Sequence, residues 1–146
     1  MVPLGIDKEK LFLQIRRLEE NMRRLREVEE KIEKRENDEF ILYSAAEKIL
    51  QESVDECINI GNHIISGLAL RLPDSYREIF IILNEENIIS EEIRKNLESF
   101  VTFRNRIVHL YWKVEKEEIL QKIKEMDYLK KFIEKLFSYL KEKGHL

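Results

Sequence analysis

Within residues 101–113 the chain places three cations (Arg104, Arg106, Lys113), one imidazole (His109) and, beside Phe103, the rings of Tyr111 and Trp112, with no acid among them. An imidazole exchanges a proton near neutral pH, a guanidinium stabilises charge on phosphoryl oxygens, and aromatic rings stack on bases. Together these are the groups that cleavage of an RNA phosphodiester calls for. Each also has a plainer use. Arg104 continues the apolar row Ile93, Leu97, Phe100. Either it pairs with an acid of a neighbouring helix or snorkels to the bundle edge, or it is kept in that row to meet a ligand. His109 taken alone reads as a structural histidine, and Tyr111 as a ring packed beside Trp112.

Helical geometry constrains how these groups could cooperate. Asn105 and His109 are four residues apart and share a face, so the amide can fix the imidazole's tautomer. Arg104 and His109 are five apart and point about 140° away from each other. One regular helix cannot aim both at one phosphate, so either the helix ends or distorts inside the segment, or a symmetric second chain completes the site. Tyr111, seven residues beyond Arg104, returns to within about 20° of its direction and can border the same cleft. An earlier polar stripe of Asp55, Asn59, Asn62 and Ser66, with His63 four residues from Asn59, is either a supporting shell for that cleft or a solvated helix face beside Glu52 and Glu56.

The elements that must position these residues are written in the apolar periodicity. Leu11, Ile15, Leu18, Met22, Leu25 and Ile32 mark a long amphipathic helix within residues 7–39, whose highly charged end frays or turns. Asn37 or Asp38 can cap a second helix with a row from Leu42 to Leu68, stopped by Pro73. Asp74 can cap a short third helix carrying Tyr76, Ile79, Phe80 and Leu83. Ser90 caps the fourth, which holds the basic segment, and a fifth runs from about Val114 through Leu140 to Gly144. The expected fold is all-α: a single domain over residues 1–146, an antiparallel up-and-down bundle of four long helices plus a short one.

Composition narrows the alternatives. With 26 basic and 29 acidic residues among 146, the chain wears an unusually ionic surface around a 43% hydrophobic content, which argues against disorder. Four Gly and two Pro are too few for the turns of a many-stranded β protein. The lone Cys57 excludes an internal disulfide, and three scattered histidines show no metal-ligand spacing, so neither a metal nor a cofactor is expected. There is no run of about 18 apolar residues and no signal-peptide pattern at the start, so no membrane partner and a cytoplasmic location are expected.

The stretch Phe103-Arg104-Asn105-Arg106-Ile107-Val108-His109-Leu110-Tyr111 contains R-N-x-x-x-H and, more fully, R-x-x-x-x-H-x-Y near the end of the penultimate long helix. With the size, helix order and polar second helix, it resembles the HEPN superfamily, specifically the HepT-like toxins paired with a minimal nucleotidyltransferase antitoxin of the MntA type. The resemblance implies a metal-independent endoribonuclease whose site forms across a homodimer. On the matching positions it implies Arg104 and His109 as catalytic residues, Asn105 as a site-organising residue, and Tyr111 as the tyrosine that the antitoxin modifies with AMP. RNA is then the substrate and the nucleotidyltransferase the partner. The rival reading is a non-catalytic helical partner of the nucleotidyltransferase in which Arg104 and His109 hold a nucleotide phosphate, a reading that the net charge of −3 keeps open.

Overall fold

The computed structural model describes residues 5–109 and 114–146. Six helices follow one another: α1 (Lys8–Lys34), α2 (Glu39–Gly67), α3 (Tyr76–Glu85), α4 (Glu91–Val108), α5 (Lys116–Lys124) and α6 (Asp127–Glu142). Each of the first four begins at a short polar cap that satisfies otherwise unpaired N–H groups. Asp7 accepts from the Lys10 amide, Asp38 from Phe40 and Ile41, Ser75 from Glu78, and Ser90 from Ile93. No helix among the described residues is long and apolar enough to cross a membrane.

α1 and α2 form an antiparallel pair, because the chain reverses over residues 35–38 and His63, late in α2, bonds to Asp7 and Gln14 at the start of α1. The reversal uses Arg35 in the left-handed region (φ 54°), with its N–H bonded to Ile32. α2 is the central element and packs on α1, α3, α4 and α5. Its Gly61 makes the contact with α3 possible: a Cβ there would lie 2.4 Å from Ile79 Cγ2, closer than two carbons can sit. The core is continuous through Phe80, Phe100 and Phe132, and the rings of Phe80 and Phe132 meet edge-on with centroids 5.6 Å apart.

Three boundaries differ from the sequence reading. Ser75, not Asp74, caps α3, because its hydroxyl is the group that accepts from the Glu78 amide. α2 ends at Gly67, six residues before Pro73. The expected fifth helix is two, α5 and α6, separated at Glu125 and Met126 by short-range bonds from Met126 to Ile123 and from Tyr128 to Glu125. The apolar row is unbroken across the joint, since Ile123, Met126 and Leu129 are all buried. Periodicity therefore could not show the bend, whose effect is to let α5 pack on α2 and α1 while α6 packs on α4.

Candidate active site

Arg104 sits in the apolar row of α4, and the neighbouring elements hold it from three directions. Its Nε donates to Asp55 Oδ1 on α2 at 2.7 Å, its Nη1 donates to the adjacent Asn105 Oδ1 at 3.2 Å, and its Cζ lies 5.2 Å from the ring centroid of Tyr76 at the start of α3. The guanidinium side chain is 16% exposed and Asp55 is 36% exposed, so the pair lies at the molecular surface. Among the described residues Nη2 has no hydrogen-bond partner. This arrangement answers the desolvation problem of a cation in an apolar row: a carboxylate and a π face compensate the charge of a side chain that keeps partial exposure.

α4 ends inside the R-N-x-x-x-H motif. Its last helical residue is Val108, and His109 is the cap, with its backbone N–H bonded to Asn105 O at 3.1 Å and its side chain exposed. The cap keeps near-helical angles (φ −79°, ψ −5°), so the divergence of Arg104 and His109 expected from the spacing persists. The Asn105 amide oxygen accepts from Arg104 and so orients the guanidinium, where the spacing suggested the imidazole. Tyr111 lies outside the described residues.

The expected basic island is partly consumed internally. Both Nη groups of Arg106 bond to the Glu118 carboxylate on α5, with Nη2 to Oε1 at 3.0 Å. This pair holds the Arg106 guanidinium above and the Glu118 carboxyl below their ordinary pKa values. It also ties the end of α4 to α5 on either side of the segment that contains His109. The acid is twelve residues away on a different helix, so no single-helix spacing pointed to it.

The α2 stripe divides. Asp55 reaches Arg104, whereas Asn59 and Asn62 are exposed and line a separate cleft with Asp7, Lys10, Gln14 and Arg17. His63 is not part of a shell around Arg104. Its Nε2 accepts the Asp7 N–H at 3.1 Å, and its Nδ1 lies 2.9 Å from Gln14 Oε1, which defines a neutral ring protonated at Nδ1. Burial, aided by Lys10, holds its pKa below the ordinary value. The role is to fasten the start of α1 to α2. Nearby, burial raises the Glu56 carboxyl, whose Oε1 is enclosed without a partner among the described residues. The Cys57 thiol is fully buried and pushed far up, so it is not a nucleophile.

A partly buried arginine held by an acid of a second helix, with a histidine at the end of the same helix, in an all-α bundle, fits a HEPN-type architecture. The chain matches the family model described as ribonuclease HepT-like over residues 18–136, a span that includes Arg104 and His109, and it belongs to the HepT-like family. It is 36% identical over 73 residues to the mRNA nuclease HepT of Shewanella oneidensis, an alignment covering 50% of this chain and 55% of that one. With YutE of Bacillus subtilis it is 32% identical over 87 residues, covering 58% and 60% respectively. The chain thus spans little more than half the length of these relatives in sequence alignment. Structural similarity extends further. The Shewanella oneidensis HEPN toxin, tri-AMPylated and in complex with an MNT antitoxin, superposes with a TM-score of 0.81 at 25% identity, covering 88% of this chain and 96% of that one. The cytosolic protein YutE superposes with a TM-score of 0.81 at 21% identity, covering 96% and 94%.

Proposed function

We propose that the protein is a metal-independent endoribonuclease toxin, acting in the cytoplasm, whose site is completed across a homodimer. The observation that carries the reading is Arg104, held at the surface by Asp55 and Asn105 with its side chain partly exposed, on the helix that ends at His109 in a chain of the HepT-like family. The ribose 2′-hydroxyl attacks the adjacent phosphorus, forming the 2′-O–P bond as the P–O5′ bond breaks, and leaves a 2′,3′-cyclic phosphate and a 5′-hydroxyl. His109 moves a proton at one of these oxygens, and Arg104 stabilises charge on the non-bridging oxygens. The nucleophile belongs to the RNA itself, so this reaction needs no metal-activated water. A dimer answers the divergence of Arg104 and His109 on one helix, because two copies place two such sets around one cleft.

The Shewanella oneidensis neighbour, tri-AMPylated beside an MNT antitoxin, supports a minimal nucleotidyltransferase antitoxin as partner here and AMP transfer to Tyr111 as the control. A phosphodiester and base added to Tyr111, two residues beyond His109 in sequence, bring negative charge and bulk that would repel and displace an RNA phosphate. Tyr111→Phe is expected to keep cleavage and escape inactivation by the nucleotidyltransferase with ATP; AMP found by mass spectrometry on another residue of an inactivated variant would contradict the assignment. The non-catalytic alternative draws on the ion pairs that occupy Arg104 and Arg106. Purified protein incubated with RNA in EDTA decides between the two readings. Cleavage that disappears with His109→Ala, and at a position carrying a 2′-deoxyribose, is expected. Absence of cleavage, or cleavage that continues at the 2′-deoxy position, would overturn the endoribonuclease reading.

A further inference from the structure

Tyr76 stands out against the reading that its sequence position invites. Its apolar neighbours Ile79, Phe80 and Leu83 are buried, as a core-facing row should be, but Tyr76 is 45% exposed. It is the first residue of α3, fixed there by the Ser75 cap, while Arg77 beside it bonds to the nearly buried Glu98 of α4 at 3.1 Å. The ring is therefore carried on a helix start anchored to α4. One part of it is occupied by the Arg104 guanidinium at 5.2 Å, and the remainder meets solvent.

We infer that Tyr76 is a base-stacking residue of the site, receiving the base of the nucleotide whose phosphate meets Arg104. This rests on the ribonuclease reading above and goes beyond it by naming a side chain that holds the base. A nucleotide carries its base one sugar away from its phosphate. The part of the Tyr76 ring that the guanidinium leaves uncovered lies beside the group that meets the phosphate and is placed to receive that base. Stacking on an aromatic side chain is available to any base but only to one released from its duplex stack, so the platform selects unpaired RNA without selecting sequence. The composite of guanidinium and ring also fits the chain's net charge of −3. With Asp55 offsetting the charge of Arg104, broad attraction to phosphate is weak, and stacking supplies the affinity that charge does not.

The test is steady-state cleavage of one short RNA by the full chain and its Tyr76 variants, beside the same RNA with an abasic nucleotide at the cleavage position and the same RNA annealed to its complement. Tyr76→Ala is expected to raise KM on the order of 10- to 100-fold with kcat within about twofold, and Tyr76→Phe to behave as the wild type. The abasic substrate should impose a comparable loss on the wild type and little further loss on Tyr76→Ala, because both changes remove the same contact. The annealed RNA should be cleaved poorly. A fall in kcat at unchanged KM would make Tyr76 solely a support for Arg104 and overturn the inference. So would a shift of Tyr76→Ala from dimer to monomer mass, which would place the ring against a second copy, or equal cleavage of paired and unpaired RNA. If Tyr76→Ala folds poorly, Tyr76→Leu removes the π face while keeping apolar bulk and is read by the same criteria. Failure of the two readings is separable. A wild type that cleaves nothing overturns both, whereas cleavage that requires His109 but is indifferent to Tyr76 overturns the stacking role alone.

Discussion

Arg94 and Arg104 lie ten residues apart on α4, and the helix uses the same side chain in two different ways. Around Arg94 every guanidinium nitrogen is engaged: Nε bonds to Asn84 at 2.9 Å, Nη1 to Glu98 at 2.5 Å, and Nη2 lies 3.6 Å from Glu91. Glu98 in turn takes Arg77, so a nearly buried carboxylate is shared by two arginines and locks α3 to α4. Around Arg104 the partners come from α2, α3 and the adjacent Asn105 of α4, one of them is a partly exposed aromatic ring, and Nη2 is unengaged among the described residues. The lesson is that a charge near an apolar row becomes a candidate for chemistry by what is left unsatisfied around it. The first arrangement is a closed network that spends its polarity on structure. The second retains polarity at the surface.

Perturbing the two regions should separate stability from activity. Glu98→Ala leaves Arg94 and Arg77 without their shared acceptor and is expected to cost about 2–3 kcal/mol in denaturant unfolding, below the figure for a fully buried pair because Arg77 is largely exposed. Per folded molecule kcat should change little because Arg104 keeps Asp55 and Asn105, while KM should rise as the start of α3 that carries Tyr76 loses its Arg77–Glu98 anchor. An unchanged unfolding free energy would show that the Arg94 network does not bear on stability. Gly61→Ala acts on the frame beneath both regions. Its new methyl meets Ile79 on α3, and overpacking of about 1–3 kcal/mol outweighs the better helix propensity of alanine. Because α3 carries Tyr76, cleavage should fall with it. A variant more stable than the wild type would show that α3 moves aside freely.

Asp55→Asn keeps the shape of the group that orients Arg104 and removes its charge. Exposure of Asp55 limits the stability cost to about 1 kcal/mol or less, while kcat should drop on the order of 10-fold as the guanidinium loses its fixed direction. An unaltered kcat would mean that Asn105 and Tyr76 suffice to hold Arg104. The smallest effect concerns His63, remote from both arginines. Its folded pKa lies below the ordinary 6.5, so the unfolded chain binds the extra proton first as pH falls through that value. Stability should therefore decline from about pH 7 toward pH 5, and His63→Gln should flatten that part of the Tm profile. A profile identical to the wild type would remove His63 as its source.

Much of this organisation is legible in the sequence, for identifiable reasons. Apolar rows and short polar caps announce α1 to α4, and Ser90 and Asp38 cap where their types suggest. The joint between α5 and α6 is hidden because a bend that preserves burial also preserves periodicity. Arg104 is conspicuous as a charge in an apolar row, but its pairing with Asp55, 49 residues away, is a matter of tertiary packing. The same holds for His63, whose partners lie 49 and 56 residues earlier and whose polar neighbours on α2 suggested a different company. Tyr76 is the instructive miss. It was counted with the apolar residues of α3, and the available signal was its place immediately after the Ser75 cap, where a helix has only begun to turn toward the core.

The division of labour along α4 is tested most directly by measuring cleavage rate and Tm together for Arg104→Ala and Arg94→Ala. The account predicts that Arg104→Ala lowers kcat on the order of 10²- to 10³-fold while Tm stays within a few degrees, and that Arg94→Ala lowers Tm clearly while the folded fraction cleaves at nearly the wild-type rate. Loss of folding in step with loss of cleavage for Arg104→Ala, or full cleavage without that guanidinium, would contradict it.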